Sequence, residues 1–199
     1  PLRFAVEEAT ARCGSEGPPG GEVANIAIEV LDATTDREPL LTLDENGVRG
    51  RLKPTGAPSV PLYQSWTAPA GMPAIGSRGA QTIPATVSGF DARPAGIYLP
   101  PAALVKDAPA LPLVVMMMGH PGSPDGTVIS DVLDTFAAQH GGLAPIVVIA
   151  DQLGAEVNDT ACADSTTYGN ARTYVTVDVV NWAKKNLHII DDPAYWTIA

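Results

Sequence analysis

Eight residues concentrate groups that could do chemistry: Gly119-His-Pro-Gly-Ser-Pro-Asp-Gly126. They follow six unbroken apolar residues, Leu113 to Met118. A short apolar run bounded by turn signals reads as a strand buried on both faces. In open parallel sheets, ligands bind just past the carboxyl ends of such strands. The side chains in this turn also have plain readings. Ser123 stands between Gly and Pro, where Ser is common in turns. The His120 ring faces either substrate or solvent. Elsewhere, Asp151 ends a second apolar run and either lines the floor of a site or caps a loop. His140 and His188 follow helical segments, where an exposed cation suits the helix dipole. Asp164, Tyr168 and Asn170 lie in a long polar loop, where they line a cleft or bond within the loop. Asn158-Asp-Thr160 matches a glycosylation sequon. None of these residues forms a convincing Ser-His-Asp set by itself.

The elements that must position the turn are legible around it. Val128, Val132, Leu133, Phe136 and Ala137 recur at helical spacing and predict a helix over 127–140, closed by Gly141 and Gly142. Ile146–Ile149 predicts a second buried strand, and 152–170 a long loop. Tyr174, Val177, Val180 and Trp182 mark a helix over about 171–187, and 195–199 a last strand. Upstream, 82–87 and 95–99 predict strands joined by the loop 88–94. Residues 54–80, rich in Pro, Gly, Ala and Ser, read as a connector anchored by Tyr63 and Trp66. Earlier still, 23–31, 40–43 and 48–53 predict short strands, the last two joined by a tight turn at Asp44-Glu-Asn-Gly47. The expectation is an α/β fold with parallel strands and right-handed crossovers. It divides into a small acidic β-rich section (1–60), a connector (61–80) and the α/β section (81–199).

Composition narrows the function classes. The 199 residues carry 12 Lys and Arg against 22 Asp and Glu, a net charge of -10. That balance excludes nucleic acid as an expected partner and disfavours an anionic membrane surface. No window approaches a membrane span, and Pro1-Leu-Arg-Phe4 is not a signal peptide. The chain begins without Met and reads as a piece of a longer protein, with any anchor outside it. The last strand would be left uncovered, so the domain is expected to continue past Ala199, on the same polypeptide or as a separate chain. Cys13 and Cys162 are either a disulfide pair or two thiols, and neither has the neighbours of a zinc site.

As an ordered series, five stretches resemble the N-terminal half of an α/β-hydrolase of the esterase group that includes esterase D and the secreted mycolyltransferases. They are Ile97-Tyr-Leu-Pro-Pro101, Met118-Gly-His-Pro-Gly-Ser-Pro-Asp125, Leu143-Ala-Pro-Ile-Val-Val-Ile-Ala-Asp151, Thr173–Trp182 and Asp192–Ala199. The resemblance covers residues 81–199. It implies a partial α/β-hydrolase fold that ends just before the nucleophile turn, whose motif is G-x-S-x-G. It also implies a serine ester hydrolase or acyltransferase acting on carboxylic esters or acyl lipids. The catalytic Ser, Asp or Glu, and His would all lie beyond Ala199, so residues 1–199 alone are expected to be inactive. By the same resemblance the His120 backbone N–H is an oxyanion donor, and Gly119, Pro121, Gly122, Ser123 and Asp151 line the substrate. Pro121 has no N–H to offer. No metal or organic cofactor is implied, and the location is extracellular or in the cell envelope. The secreted mycolyltransferases carry an Asp before the Gly of this turn and an Arg two residues after it, where they help bind sugar. Met118 and Pro121 stand there here, which argues against a trehalose substrate. The alternative is a non-catalytic envelope or binding module on the same scaffold.

Overall fold

The computed structural model describes residues 60–199, together with the backbone of strands β1 (Leu43–Asp44) and β2 (Gly47–Val48). These two strands pair antiparallel, Leu43 with Val48 and Asp44 with Gly47, as the turn residues between them predict. The expected strand at 23–31, most of those at 40–43 and 48–53, and Cys13 lie outside the described residues.

The rest of the chain builds a mixed five-stranded sheet. After the short helix α1 (Leu62–Ser65) come β3 (Ser77–Gln81), β4 (Ala95–Leu99), β5 (Leu113–Met117), α2 (Thr127–Gln139) and β6 (Ile146–Ala150). A small hairpin follows, β7 (Asp164–Ser165) with β8 (Gly169–Asn170). A helical stretch runs as α3 (Ala171–Thr173), a π-helical turn (Tyr174–Asp178) and α4 (Val179–Asn186), and β9 (Trp196–Ile198) closes the sheet. The strand order is β3-β4-β6-β5-β9. Only the β6-β5-β9 part is parallel, because β4 runs antiparallel to β6 and β3 antiparallel to β4. The sheet is therefore α/β in class but mixed, not all parallel.

Alternation along each strand explains the two apolar layers. Ile97, Leu99, Leu113, Val115, Ile146, Val148 and Ala150 face one core with Tyr174, Val175, Val179 and Ala183. Tyr98, Val147 and Ile149 face the other with Leu133 and Ala137, joined by Val114 and Met116. Helices thus cover both faces, and the continuous apolar runs of β5 and β6 follow from that. β6 is buried throughout, whereas Val114, Met116 and Met117 of β5 stay half-buried, less enclosed than expected.

Four expectations need correction. The strand predicted at 82–87 is irregular chain, and the strand lies earlier, at Ser77–Gln81 within the supposed connector. Pro84 cannot donate to a ladder, and the Val87 N–H is used by Asp178. Val128 and Val132 do not face the core, being 77% and 56% exposed. The buried side of α2 is Ser130, Leu133 and Ala137, about half a turn away. On the long helical stretch, Val177, Val180 and Trp182 are half-buried, while Tyr174, Val175, Asp178, Val179 and Ala183 carry the core face. His188 is 2% exposed, not solvated, because Leu111 pairs with its carbonyl and draws residues 187–190 into the sheet. His140, by contrast, is exposed and stacked on Phe136 at the end of α2. Trp66 is the connector's anchor, its indole N–H donating to the Gly141 carbonyl at 2.9 Å, while Tyr63 is exposed.

Two buried tyrosines make opposite predictions. The Tyr98 hydroxyl donates to Asp134 Oδ1 at 2.8 Å, and burial, with that bond, pushes its ionisation up. The Tyr174 hydroxyl is buried with no hydrogen-bond partner among the described residues, and burial lifts its pKa to about 12. Tyr98→Phe is expected to cost about 1.5–3 kcal/mol, the range for a bond to a charged acceptor. Tyr174→Phe removes an unpaired hydroxyl and should be neutral or stabilising by up to about 1 kcal/mol. Urea unfolding of the two variants checks the contrast.

Candidate functional site

The turn after β5 sits where the strands β6, β5 and β9 all point their carboxyl ends. Its shape comes from close backbone contacts. A Cβ on Gly122 would lie 2.4 Å from the Gly119 carbonyl oxygen, so only glycine fits there. A Cβ on Gly96 of β4 would meet the Pro124 carbonyl at 2.7 Å, so the turn lies directly on that strand. Gly119 itself has open space around it, so it is not the residue that keeps the turn tight. The His120–Pro121 peptide is cis. Asp125 ends the turn, accepting from the Thr127 N–H at 2.9 Å and its hydroxyl at 2.7 Å. These bonds supply the polar start of α2. They also hold the Asp125 carboxyl below its usual range.

Beneath the turn lies an ion pair that sequence reasoning missed. The Arg93 guanidinium reaches Asp151 with Nη2 at 2.8 Å from Oδ1 and Nε at 3.1 Å from Oδ2. The Arg93 and Leu153 backbone N–H groups donate to the same carboxylate at 2.7 and 3.1 Å. The Asp151 residue is 0% exposed. Burial alone opposes its charge, yet the Arg93 side chain and the two N–H donors outweigh it and hold its carboxyl below the usual range. The same Arg93 Nη2 donates to the Gly122 carbonyl at 3.0 Å. Arg93 therefore ties the end of β6 to the middle of the turn. Asp151 is an enclosed acceptor under the turn, and its bond from Leu153 is the loop-capping geometry.

A second brace comes from Gln152, which is 2% exposed. Its Nε2 donates to the Met118 carbonyl. Its own carbonyl accepts from the Thr160 hydroxyl at 2.8 Å, so the long loop holds it in place. The His120 ring is exposed, with Nε2 3.2 Å from the Val157 carbonyl of the long loop. Pro121 and Ser123 are exposed at the tip, and the Ser123 carbonyl accepts from Asp125 N–H at 2.7 Å. The structure thus brings Gly119, His120, Pro121, Gly122 and Ser123 over Asp151 through Arg93.

Two of the long-loop candidates bond outside that loop, Asp164 to α3 and Asn170 to the loop 88–94. Asp164 accepts from the Thr173 N–H and hydroxyl at 2.9 and 2.7 Å, and Asn170 Nδ2 donates to the Ser88 carbonyl at 2.8 Å. Tyr168 is exposed. Cys162 is disulfide-bonded, and its sulfur lies 3.7 Å from Met117 Sδ. Among the described residues no group of three His, Cys, Asp or Glu side chains is placed to hold a metal. No helix among them is long and apolar enough to cross a membrane.

Neither Arg93 nor Gln152 carried a sequence signal. Arg93 lies in a loop before Pro94, 58 residues from its partner. Gln152 begins the loop after β6 and shows nothing in its neighbours that marks a buried amide.

The chain matches no family model. It is similar to an uncharacterized protein of Corynebacterium glutamicum, 37% identical over 123 residues, which is 60% of this chain. The matched region is 29% of that relative's length, so the chain spans less than a third of the protein it resembles.

Proposed function

We propose that the chain is the N-terminal part of a serine ester hydrolase or acyltransferase of α/β-hydrolase fold, acting on carboxylic esters or lipid acyl groups. The observation that carries the reading is the place of Ala199. Its N–H donates to the Val115 carbonyl at 3.0 Å, and its carbonyl accepts from the Met117 N–H at 2.7 Å. A strand-to-helix nucleophile turn following Ala199 would rise beside the Gly119–His120 turn. That is the relation acyl transfer requires, with nucleophile and backbone donors converging on one carbonyl. The Ser oxygen attacks the ester carbon as a His takes its proton, and an acid orients that His. The leaving alcohol takes the proton, and water or an acceptor hydroxyl then releases the acyl group. The reading calls for no metal or cofactor. The disulfide at Cys162 supports an oxidising, extracellular or envelope location.

The test uses the full-length polypeptide with p-nitrophenyl acetate and a fluorophosphonate probe. Hydrolysis is expected, with the probe on a Ser in the turn directly after Ala199. Residues 1–199 alone should hydrolyse nothing beyond buffer. A different residue at that position, or no hydrolysis with the Ser intact, overturns the reading in favour of a non-catalytic module.

A further inference from the structure

Along β5 the backbone polar groups point alternately to its two neighbours. On the β9 side, the Leu111 carbonyl accepts from Ile190 at 2.9 Å, and Val115 and Met117 bond Ala199. On the β6 side, the Pro112 carbonyl accepts from the Ile146 N–H at 2.9 Å, and the Met118 carbonyl from the Gln152 amide. A trans peptide is planar, with its C=O and N–H pointing in opposite directions. With the Met118 carbonyl held toward β6, the Gly119 N–H must point toward β9. It comes two residues after the Met117 N–H that meets the Ala199 carbonyl, which places it past Ala199 on the same side. The Gly119 N–H donates to none of the described residues.

The Gln152 amide has only one workable orientation. Turned over, it would set Oε1 against the Met118 carbonyl, oxygen to oxygen. As placed, Oε1 is buried with no hydrogen-bond partner among the described residues. An amide left with an unpaired buried oxygen is a cost that the bond to Met118 must offset.

We infer that Gln152 is a positioning residue, whose amide locks the Met118–Gly119 peptide so that the Gly119 N–H serves as an oxyanion donor. The inference rests on the esterase reading and refines it, because the resemblance points to the N–H of His120. Gly119 supplies the better-aimed group: its direction is set by the buried Gln152 amide on the Met118 carbonyl, whereas among the described residues no side chain bonds the Gly119–His120 peptide.

The experiment compares full-length wild type, Gln152→Leu, Gln152→Glu, and a protein with a backbone ester in place of the Met118–Gly119 amide. Steady-state kinetics use p-nitrophenyl acetate, and phenylboronic acid probes the tetrahedral state. Removing one oxyanion donor costs about 100- to 1000-fold in kcat, and the backbone ester should fall in that range. Gln152→Leu is expected to lose about 10- to 100-fold in kcat, with KM within twofold and boronate affinity falling in parallel. Gln152→Glu should recover kcat relative to wild type as the pH is lowered, since a protonated carboxyl can again donate to Met118 and an ionised one cannot. A merely structural role would lower unfolding temperature without that pH-dependent recovery or the loss of boronate affinity. An active wild type whose ester and Gln152 variants keep kcat and boronate binding overturns this inference alone. An inactive wild type overturns the esterase reading and this inference with it.

Discussion

Arg93→Met is expected to destabilise the chain by about 3 kcal/mol, the scale for breaking a buried ion pair from one side. The Asp151 carboxylate is fully buried, and Met leaves it with only the Arg93 and Leu153 backbone N–H groups. Asp151→Leu leaves a cation that is partly exposed, 27% for the Arg93 side chain, and two N–H groups unpaired. The double variant should regain part of either loss, because an apolar pair of similar volume carries no desolvation cost. The pH dependence gives an independent sign. The folded-state pKa of Asp151 lies below the ordinary value of about 3.9. Its contribution is therefore fully present above that value and is lost as the pH falls through the folded pKa. In Arg93→Met the burial that opposes ionisation is no longer offset by the guanidinium. The gap between wild type and variant should narrow as the pH falls to 4 and below. Urea unfolding followed by tryptophan fluorescence from pH 7 to pH 3 measures both effects. Arg93→Met should also release the Gly122 carbonyl, so under the proposed esterase reading hydrolysis by the full-length protein should fall together with stability.

What the sequence made legible was set by local pattern. β5 and β6 announce themselves because helices cover both faces of the sheet, so no polar residue interrupts Leu113–Met118 or Ile146–Ala150. The same pattern misleads on α2. Val128 and Val132 are apolar and helically spaced, but they lie across the helix from Leu133 and Ala137, and spacing alone does not say which stripe meets the sheet. β3 is invisible for the opposite reason. Ser77-Arg-Gly-Ala-Gln81 has no alternation, and as an edge strand it takes its register from β4. The site divides along the same line. The turn from Gly119 to Gly126 is readable from its glycines and prolines, although the close contact falls at Gly122 and not at Gly119. The groups that hold the turn, Arg93 and Gln152, act on residues 29 and 34 positions away, and no periodicity encodes such pairs. The burial of His188 belongs with them, since it depends on Leu111 pairing 77 positions upstream.

Asp178→Ala is expected to cost about 2–4 kcal/mol and to loosen the turn's support at a distance. Asp178 sits at the end of the π-helical turn and is buried, yet its carboxylate is fully engaged by another element. Oδ1 accepts from the Val87 N–H at 2.9 Å and the Thr86 hydroxyl at 3.3 Å, and Oδ2 from the Ser88 N–H at 2.9 Å. Burial opposes the charge, but the bonds from Ser88, Val87 and Thr86 prevail and hold the carboxyl below its usual range. Alanine leaves the buried Ser88 N–H without an acceptor, a desolvation cost of about 1–3 kcal/mol, and forfeits the bonds at the exposed Val87 and Thr86 as well. Asp178→Asn keeps the volume but turns an NH2 toward a donor, so it should fall between Ala and wild type. The sign with pH is that of Asp151, full above the unfolded value and lost on acidification. The larger consequence follows from connectivity. Ser88 begins the loop 88–94 that ends at Arg93 and Pro94, and Asn170 also fastens it through the Ser88 carbonyl. With Asp178 gone, the loop keeps at its start the Asn170 bond and the bond from the Gly89 N–H to the Ala85 carbonyl, and at its end the Arg93–Asp151 pair. Native-state hydrogen exchange should therefore speed up at Ser88, Phe90 and Arg93 before it does in β6, where amides exchange with global unfolding. Equal acceleration in β6 and the loop would mean that Asp178 supports the fold as a whole and not the segment that carries Arg93 to the turn.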